Sequence, residues 1–235
     1  MNVVTIMAHQ DDEMRCLGTM LKCQARGDAL HCITVTDGSK GFVQQPHIAR
    51  EQAAVIRHAE MTALTEALGA KFINLAEPDE FLYDTPEIRM KLIQAIRQTR
   101  ADLIFTHYHE DYNLDHIAVN SLVKHCAMQA CLPVLPTASE PLSQMPAIFM
   151  VEPHGPSIFP ATHYVDITAC FERKAELLHC HRSQEEAFRA AYQQDLRAVC
   201  EPLDRYRGSL VGCLYAECFV PMATRGAMKP YPVLP

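Results

Sequence analysis

Apolar residues along the chain fall into short continuous runs that alternate with longer stretches in which they recur every three or four positions. Short runs rich in β-branched residues predict buried strands, and the longer spacing predicts amphipathic helices. The predicted strands cover residues 3–7, 29–36, 71–75, 102–106, 147–151 and 164–167. The predicted helices cover residues 13–26, 48–68, 115–130, 171–181 and 184–199, with another beginning near Pro86. This alternation predicts an α/β fold with a mostly parallel sheet and helices on both faces.

The predicted elements form a single domain over residues 1–228, because no linker-like stretch divides them. Residues 229–235 contain three prolines and are expected to form an extended tail. Four more prolines between residues 133 and 146 exclude regular helix or central strand there. We expect this segment to be a surface loop or a lid over a nearby site.

Composition limits the classes of partner. The chain has 235 residues, of which 49% are hydrophobic, enough for the core of one large α/β domain. Its formal net charge of −7 argues against nucleic acid or an anionic membrane as a partner. No apolar run approaches the roughly 18 residues that span a bilayer, and no charged and apolar leader precedes the first strand. These features predict a cytoplasmic protein without a membrane span.

A dense group of ionisable residues follows the first predicted strand. His9, Asp11, Asp12 and Glu13 come directly after the buried run 3–7. Carboxylates crowded at the end of a buried strand repel one another and lose solvation, so a positive charge is expected among them. A divalent metal ion is the simplest source of that charge.

A second polar group, residues 107–116, follows the predicted strand 102–106. Ligands of parallel sheets bind beyond the carboxyl ends of the strands, so both groups can reach one crevice. A catalytic zinc site uses three nitrogen or oxygen ligands and keeps a fourth position for water, and His9, Asp12 and His116 supply such a set. Asp11 can then face that water as a general base, and Asp115 can orient its neighbour His116.

The two groups contain motifs that resemble those of the zinc-dependent N-acetylglucosaminylphosphatidylinositol deacetylase-like proteins, the PIG-L or LmbE-like family. The segment 8–13, Ala-His-Gln-Asp-Asp-Glu, is similar to the family's Ala-His-Pro-Asp-Asp-Glu. The segment 113–116, Asn-Leu-Asp-His, is similar to its His-Pro-Asp-His. The resemblance covers most of the chain, since segments 164–168, 181–184 and 216–219 also look like later stretches of the family.

The resemblance implies a Rossmann-like fold and hydrolysis of an N-acyl group, usually acetyl, from an amino sugar or a sugar-containing metabolite. It implies one zinc ion per chain, held by His9, Asp12 and His116, with Asp11 as the general base. Arg57 resembles the family's substrate-binding arginine. The expected partner is a small N-acylated molecule, and a homo-oligomer is left open.

Two residues depart from the family pattern. Gln10 replaces a proline and changes no ligand. Asn113 replaces the histidine that helps the family to stabilise the tetrahedral intermediate and to protonate the leaving amine. An asparagine can donate a hydrogen bond to an oxyanion but cannot deliver a proton. That proton can return from Asp11 or come from a histidine after a predicted strand, for which His154 is the preferred candidate.

Three other functions compete with the deacetylase. One is an amidase for a larger acyl group or a thiol conjugate, with an acyl pocket shaped by the proline-rich segment around residues 133–146. Another is a catalytically weakened relative that binds metal or sugar without turnover, because Asn113 replaces the histidine. A nucleotide-binding dehydrogenase is excluded, since no GxGxxG follows the first strand and carboxylates occupy the place of the pyrophosphate.

Overall fold

The first apolar run forms a central strand of the sheet in the computed structural model, which describes residues 1–155 and 158–224. The strands are β1 (Asn2–Met7), β2 (Ala29–Thr36), β3 (Ala70–Glu77), β4 (Leu103–Thr106), β5 (Ala147–Val151), β6 (His163–Asp166) and β7 (Ala216–Pro221). Their order across the sheet is β3-β2-β1-β4-β5-β7-β6. The first five strands pair in parallel, and β7 pairs antiparallel with both β5 and β6. The prediction of a mostly parallel sheet is confirmed, while the suggested tail 229–235 lies outside the described residues.

Helices cover both faces of this sheet. They are α1 (Leu17–Ala25), α2 (Arg50–Leu68), α3 (Pro86–Thr99), α4 (Leu114–Gln129), α5 (Phe171–Leu178), α6 (Arg182–Tyr192) and α7 (Leu196–Val211). Successive side chains of β1 point to opposite faces, so Val3 enters one apolar core with α1, α2, α5 and α7. Val4 enters the other core with α3 and α4. The single strand is therefore buried on both sides, which explains its continuous apolar run.

The predicted helix over 184–199 is wrong, because the structure divides this stretch into α6 and α7. Gln193 adopts the left-handed conformation, with a φ of +57°, and ends α6. Asp195 then caps α7, since its Oδ1 accepts a hydrogen bond from the backbone N–H of Ala198 at 2.8 Å. The strand β7 was not predicted as a strand, although it lies between β5 and β6.

The proline-containing segment 130–146 is a loop tied to α3. Arg97 of that helix is 2% exposed, and its guanidinium donates hydrogen bonds to the carbonyl oxygens of Ala130, Leu132 and Leu135 at 2.7 to 2.9 Å. These bonds satisfy backbone carbonyls that a loop cannot pair with itself. The arrangement fits the predicted surface loop and not a lid.

A buried ion cluster joins β7 to three helices. Glu217 of β7 accepts hydrogen bonds from the backbone N–H groups of Gly18 and Thr19, at 2.9 and 2.6 Å, in the first turn of α1. It also lies 2.8 Å from Nζ of Lys174 in α5, which lies 2.6 Å from Asp204 in α7. Glu217 and Lys174 are almost fully buried. The cluster fixes the start of α1, the helix that follows the first polar motif.

Candidate metal and active site

The two polar groups predicted from the sequence meet at the carboxyl ends of β1 and β4, which are neighbouring parallel strands. Nδ1 of His9 lies 3.2 Å from Nε2 of His116 and 3.4 Å from Oδ2 of Asp12. Nε2 of His116 lies 3.3 Å from Oδ1 of Asp12. These two imidazole nitrogens and the carboxylate therefore face one point, as a metal site of three protein ligands requires.

The turn after β1 holds the first motif in an unusual backbone conformation. Asp11 has a φ of +128°, a region that L residues rarely adopt. The backbone N–H of His9 donates to Oδ2 of Asp12 at 2.7 Å, and that of Asp11 donates to Glu13 at 3.1 Å. Glu13 is fully buried and lies 2.6 Å from Nε2 of His181. His181 thus supports the turn from a distant helix end, which the sequence did not predict.

The outer nitrogen of His116 meets Asp111, which corrects the expectation that Asp115 orients this histidine. Nδ1 of His116 lies 3.0 Å from Oδ2 of Asp111. Adjacent residues on a helix do not face each other, so the side chain of Asp115 turns away from His116. Its carboxylate lies 3.5 Å from Nε2 of His9 instead. Asp115 therefore supports the other imidazole of the site.

Asp115 also holds the loop that follows β3. Its two oxygens accept hydrogen bonds from the backbone N–H groups of Glu80 and Leu82, at 2.8 and 3.1 Å. In the same loop Asp79 lies 3.0 Å from Nε2 of His9. Asp79 was missed by the sequence analysis, although it follows a parallel strand whose carboxyl end lies at the same edge of the sheet.

These contacts are the ones expected of residues that can bind a divalent metal ion. Each imidazole directs one nitrogen to the shared point and the other to a carboxylate, the arrangement that fixes the tautomer of metal-binding histidines. Two further trios have ligand atoms within 4.8 Å of one another, and each shares a histidine with the first: His107, Asp111 and His116, and His9, Asp79 and Asp115. In both, the carboxylates face the outer nitrogens, so the first trio is the one whose inner nitrogens and carboxylate are free to share a metal ion.

His107 packs behind the site as a neutral residue. Its ring stacks on His116 with 3.9 Å between centroids, and its Nε2 accepts the backbone N–H of Ala8 at 2.8 Å. Burial, and secondarily the neighbouring His116, lowers the pKa of His107 to about 4. The same Nε2 lies 3.4 Å from Asp12, but because it accepts the Ala8 hydrogen this contact is not an ion pair.

Arg57 and Asp11 form a buried pair beside the trio. Arg57 is 2% exposed; its Nη2 donates to Oδ1 of Asp11 at 3.2 Å and to the carbonyl oxygen of Gln10. Burial raises the pKa of Asp11, and Arg57 opposes part of that rise. Arg57 therefore orients the carboxylate as well as facing the same cavity.

The cavity has a volume of about 470 Å³. Seven of the eight candidate residues line it, the exception being Asp115: His9, Asp11, Asp12, Arg57, Asn113, His116 and His154. None of residues 130–146 lines it, so the proline-containing segment does not shape this pocket.

Within residues 1–155 and 158–224, the helices are too short or too polar to cross a bilayer.

Asn113 and His154 have defined partners at the cavity wall. Oδ1 of Asn113 caps α4 by accepting the backbone N–H of Asp115 at 2.8 Å and that of His116 at 3.4 Å. Its amide nitrogen is the group left to face the cavity. Nδ1 of His154 lies 2.7 Å from Nη2 of Arg15, and burial, followed by the charge of Arg15, lowers the pKa of His154.

Comparison with known proteins gives one family and relatives of the same overall fold. The family model GlcNAc-PI de-N-acetylase (PIG-L) matches residues 4–127. The chain is 26% identical to a probable N-acetyl-alpha-D-glucosaminyl L-malate deacetylase 2 of Bacillus anthracis over 191 residues, 78% of this chain and 81% of the relative.

Two solved structures share the fold. N,N'-diacetylchitobiose deacetylase from Pyrococcus horikoshii aligns with a TM-score of 0.81 and 23% identity, covering 94% of this chain and 83% of that chain. GalB, the 4-carboxy-2-hydroxymuconate hydratase of Pseudomonas putida KT2440, aligns with a TM-score of 0.80 and 19% identity, covering 98% and 100%. The fold thus carries more than one reaction, and the reaction has to be argued from the site. The family model spans more than half of the chain and contains both polar motifs, so the chain belongs to the PIG-L family.

Proposed function

We propose that the protein is a zinc-dependent hydrolase that removes an N-acyl group, most simply acetyl, from an amino sugar or a sugar-containing metabolite. The observation that carries the proposal is the convergence of His9, Asp12 and His116 beside Asp11 in one cavity. Membership of the PIG-L family supports the same reaction class. The deacetylase names of the relative from Bacillus anthracis and the structure from Pyrococcus horikoshii support an N-acetylated sugar as substrate.

One zinc ion per chain would be held by His9, Asp12 and His116. When bound, such an ion supplies Lewis-acid chemistry that makes water a nucleophile near neutral pH. Asp11 accepts the proton of the attacking water. Arg57 binds Oδ1 of Asp11, which leaves Oδ2 to take that proton.

The remaining steps need an oxyanion donor and a proton for the leaving amine. The amide nitrogen of Asn113 can donate a hydrogen bond to the oxygen that becomes negative when water adds to the acyl carbon. The C–N bond then breaks as Asp11 returns its proton to the amine, giving a carboxylate and a free amino sugar. The lowered pKa of His154 favours a hydrogen-bonding role over the proton-delivery role suggested by the sequence.

The reaction is tested by measuring acetate released from N-acetylglucosamine and its methyl glycoside by the zinc-loaded protein. We expect acetate and free amine to form in equal amounts, because one amide bond is cleaved for each water consumed. Propionyl and butyryl amides of the same sugar, and an N-acetylated thiol conjugate, form the comparison panel. Turnover of the longer amides alone would favour the amidase. Binding of sugar without turnover of any amide would identify a weakened relative.

The metal assignment predicts that the protein purified without chelator contains about one zinc per chain. The His116→Ala variant is expected to lose that zinc, because it lacks one of the three proposed ligands. Elemental mass spectrometry of both proteins measures the stoichiometry. The matched control is His125→Ala, a histidine on the same helix outside the site, which should keep its zinc. Equal zinc in the His116 variant and the wild type would contradict the ligand set.

A further inference from the structure

Arg15 is a cation of the cavity wall to which the proposed reaction gives no role. It is the last residue of the short 3-10 turn Asp12–Arg15, and only Cys16 separates it from α1. The residue is 8% exposed and lines the same cavity as the proposed metal ligands. A guanidinium in this position loses most of its hydration, so it needs compensation by an anion or by several acceptors.

The described residues supply little of that compensation. The one hydrogen bond of the Arg15 side chain joins its Nη2 to Nδ1 of His154 at 2.7 Å. Nε and Nη1 are buried and have no hydrogen-bond partner in residues 1–155 and 158–224. Arg15 forms no ion pair with any residue of 1–155 or 158–224. No carboxylate of these residues therefore lies within 4.0 Å of its guanidinium. A buried charge without a counterion is uncommon in folded proteins.

Nearby carboxylates are engaged by other cations. Asp204 and Glu217 both bind Lys174, at 2.6 and 2.8 Å. Glu152 also lines the cavity, but its carboxylate accepts two hydrogen bonds from the guanidinium of Arg207. Burial raises the pKa of Asp204 and the charge of Arg15 opposes part of that rise, but the two side chains form no ion pair. On the cavity side, the neighbour of Arg15 is His154.

His154 adds a second donor to this corner. An arginine can only donate, so Nδ1 of His154 accepts and the imidazole proton lies on Nε2. The ring of Phe188 packs edge-on against His154 with 5.8 Å between centroids, and both side chains line the cavity. An apolar neighbour lowers the local dielectric and strengthens a charge interaction formed there.

We propose that Arg15, assisted by His154, binds an anionic oxygen group, a carboxylate or a phosphate, carried by the substrate at a distance from its acyl group. This inference rests on the proposed function and narrows its substrate class to acidic N-acyl sugars. The guanidinium offers the planar pair of donors that such anions accept, and the anion supplies the counterion that the protein lacks.

Binding and turnover are measured on matched sugars that differ in charge. The neutral ligand is methyl N-acetylglucosaminide; the anionic ones are its carboxymethyl counterpart and N-acetylglucosamine 1-phosphate. Calorimetric titration reports binding whether or not the sugar is hydrolysed. We expect the wild type to bind at least one anionic sugar about 10- to 100-fold more tightly than the neutral one, the range of a charge-assisted hydrogen bond. The better anion identifies the group as carboxylate or phosphate.

Arg15→Met is expected to abolish this preference while binding of the neutral sugar stays near wild type. Arg15→Lys keeps the charge and should retain part of the preference, which covers the case in which the methionine variant does not fold. Lys40→Met is the matched control, because Lys40 is an exposed cation on the same cavity and should keep the preference.

Three results would overturn the assignment of this anion site. They are equal binding of charged and neutral sugars by the wild type, a preference that survives in Arg15→Met, and equal loss for both sugars in Arg15→Lys. The last would mean that Arg15 only balances the cluster of Asp204 and Glu217. Preferential binding of an anionic sugar without release of acetate would refute the hydrolase instead and leave the anion site standing.

Discussion

Asp11→Asn is expected to lower kcat for the N-acetyl sugar by about 10²- to 10⁴-fold, the usual contribution of a general base. Asparagine keeps the shape of the side chain and still accepts the hydrogen bond from Arg57, but it cannot take a proton. Asparagine also tolerates positive φ better than most residues, whereas alanine would add backbone strain at +128°. The zinc content should stay near that of the wild type, since Asp11 is outside the proposed ligand trio.

The measurement is steady-state acetate release, with zinc determined on the same samples. Asp37→Asn provides a matched control, because Asp37 is a buried aspartate paired with Arg50 and does not line the cavity. That variant should keep a kcat close to the wild-type value. An Asp11→Asn protein that keeps its zinc and full activity would show that another group takes the proton.

Lys174→Met is expected to lower the free energy of unfolding by about 3–5 kcal/mol, the cost of breaking a buried ion pair by removing one partner. Methionine fills a similar volume, so the loss arises from the charge. Asp204 and Glu217 would be left as two buried carboxylates without their shared cation. Burial already raises the pKa of Asp204 to about 6 despite the presence of Lys174.

Urea denaturation followed by circular dichroism measures this loss. The neighbouring Arg173→Met is the control, because its pair with Glu176 lies on the exposed side of α5, and we expect a change of about 0.5 kcal/mol or less. A Lys174→Met protein as stable as the control would mean that the two carboxylates become protonated or hydrated at little cost.

The convergence of the three proposed metal ligands was predictable because they follow strands. His9 and Asp12 come just after β1, and His116 lies in the first turn of α4, the helix that follows β4. Parallel pairing of these neighbours places both segments at one edge, whatever the details of the loops. Residues fixed by a strand end and a short turn are therefore accessible to reasoning from sequence.

Residues that support the ligands were not predictable in the same way. Asp79 and Asp111 lie in loops whose paths depend on contacts with the rest of the molecule. The choice of Asp115 failed because adjacency in sequence does not mean adjacency on a helix. The hydrogen bond between Arg15 and His154 joins residues 139 positions apart, and no local sequence pattern predicts this contact.

The later part of the fold was also harder to predict. A helical pattern continued across 184–199, and the break depended on the left-handed Gln193 and the capping Asp195. The strand β7 carries Glu217, whose charge argues against a buried strand when the sequence is considered alone. Its burial becomes favourable only through Lys174 and the start of α1.

The hydrogen bonds between Glu217 and α1 can form only after most of the chain has been synthesised. Glu217 is separated by 199 and 198 residues from Gly18 and Thr19, whose N–H groups it accepts. The three proposed metal ligands have all left the ribosome before β7 is made. At that stage α1 still lacks the buried carboxylate of Glu217 at its N terminus. Domains emerge from the N terminus first, and contacts this distant in sequence form late. The nascent protein should therefore reach a metal-competent state only after β7 has left the ribosome.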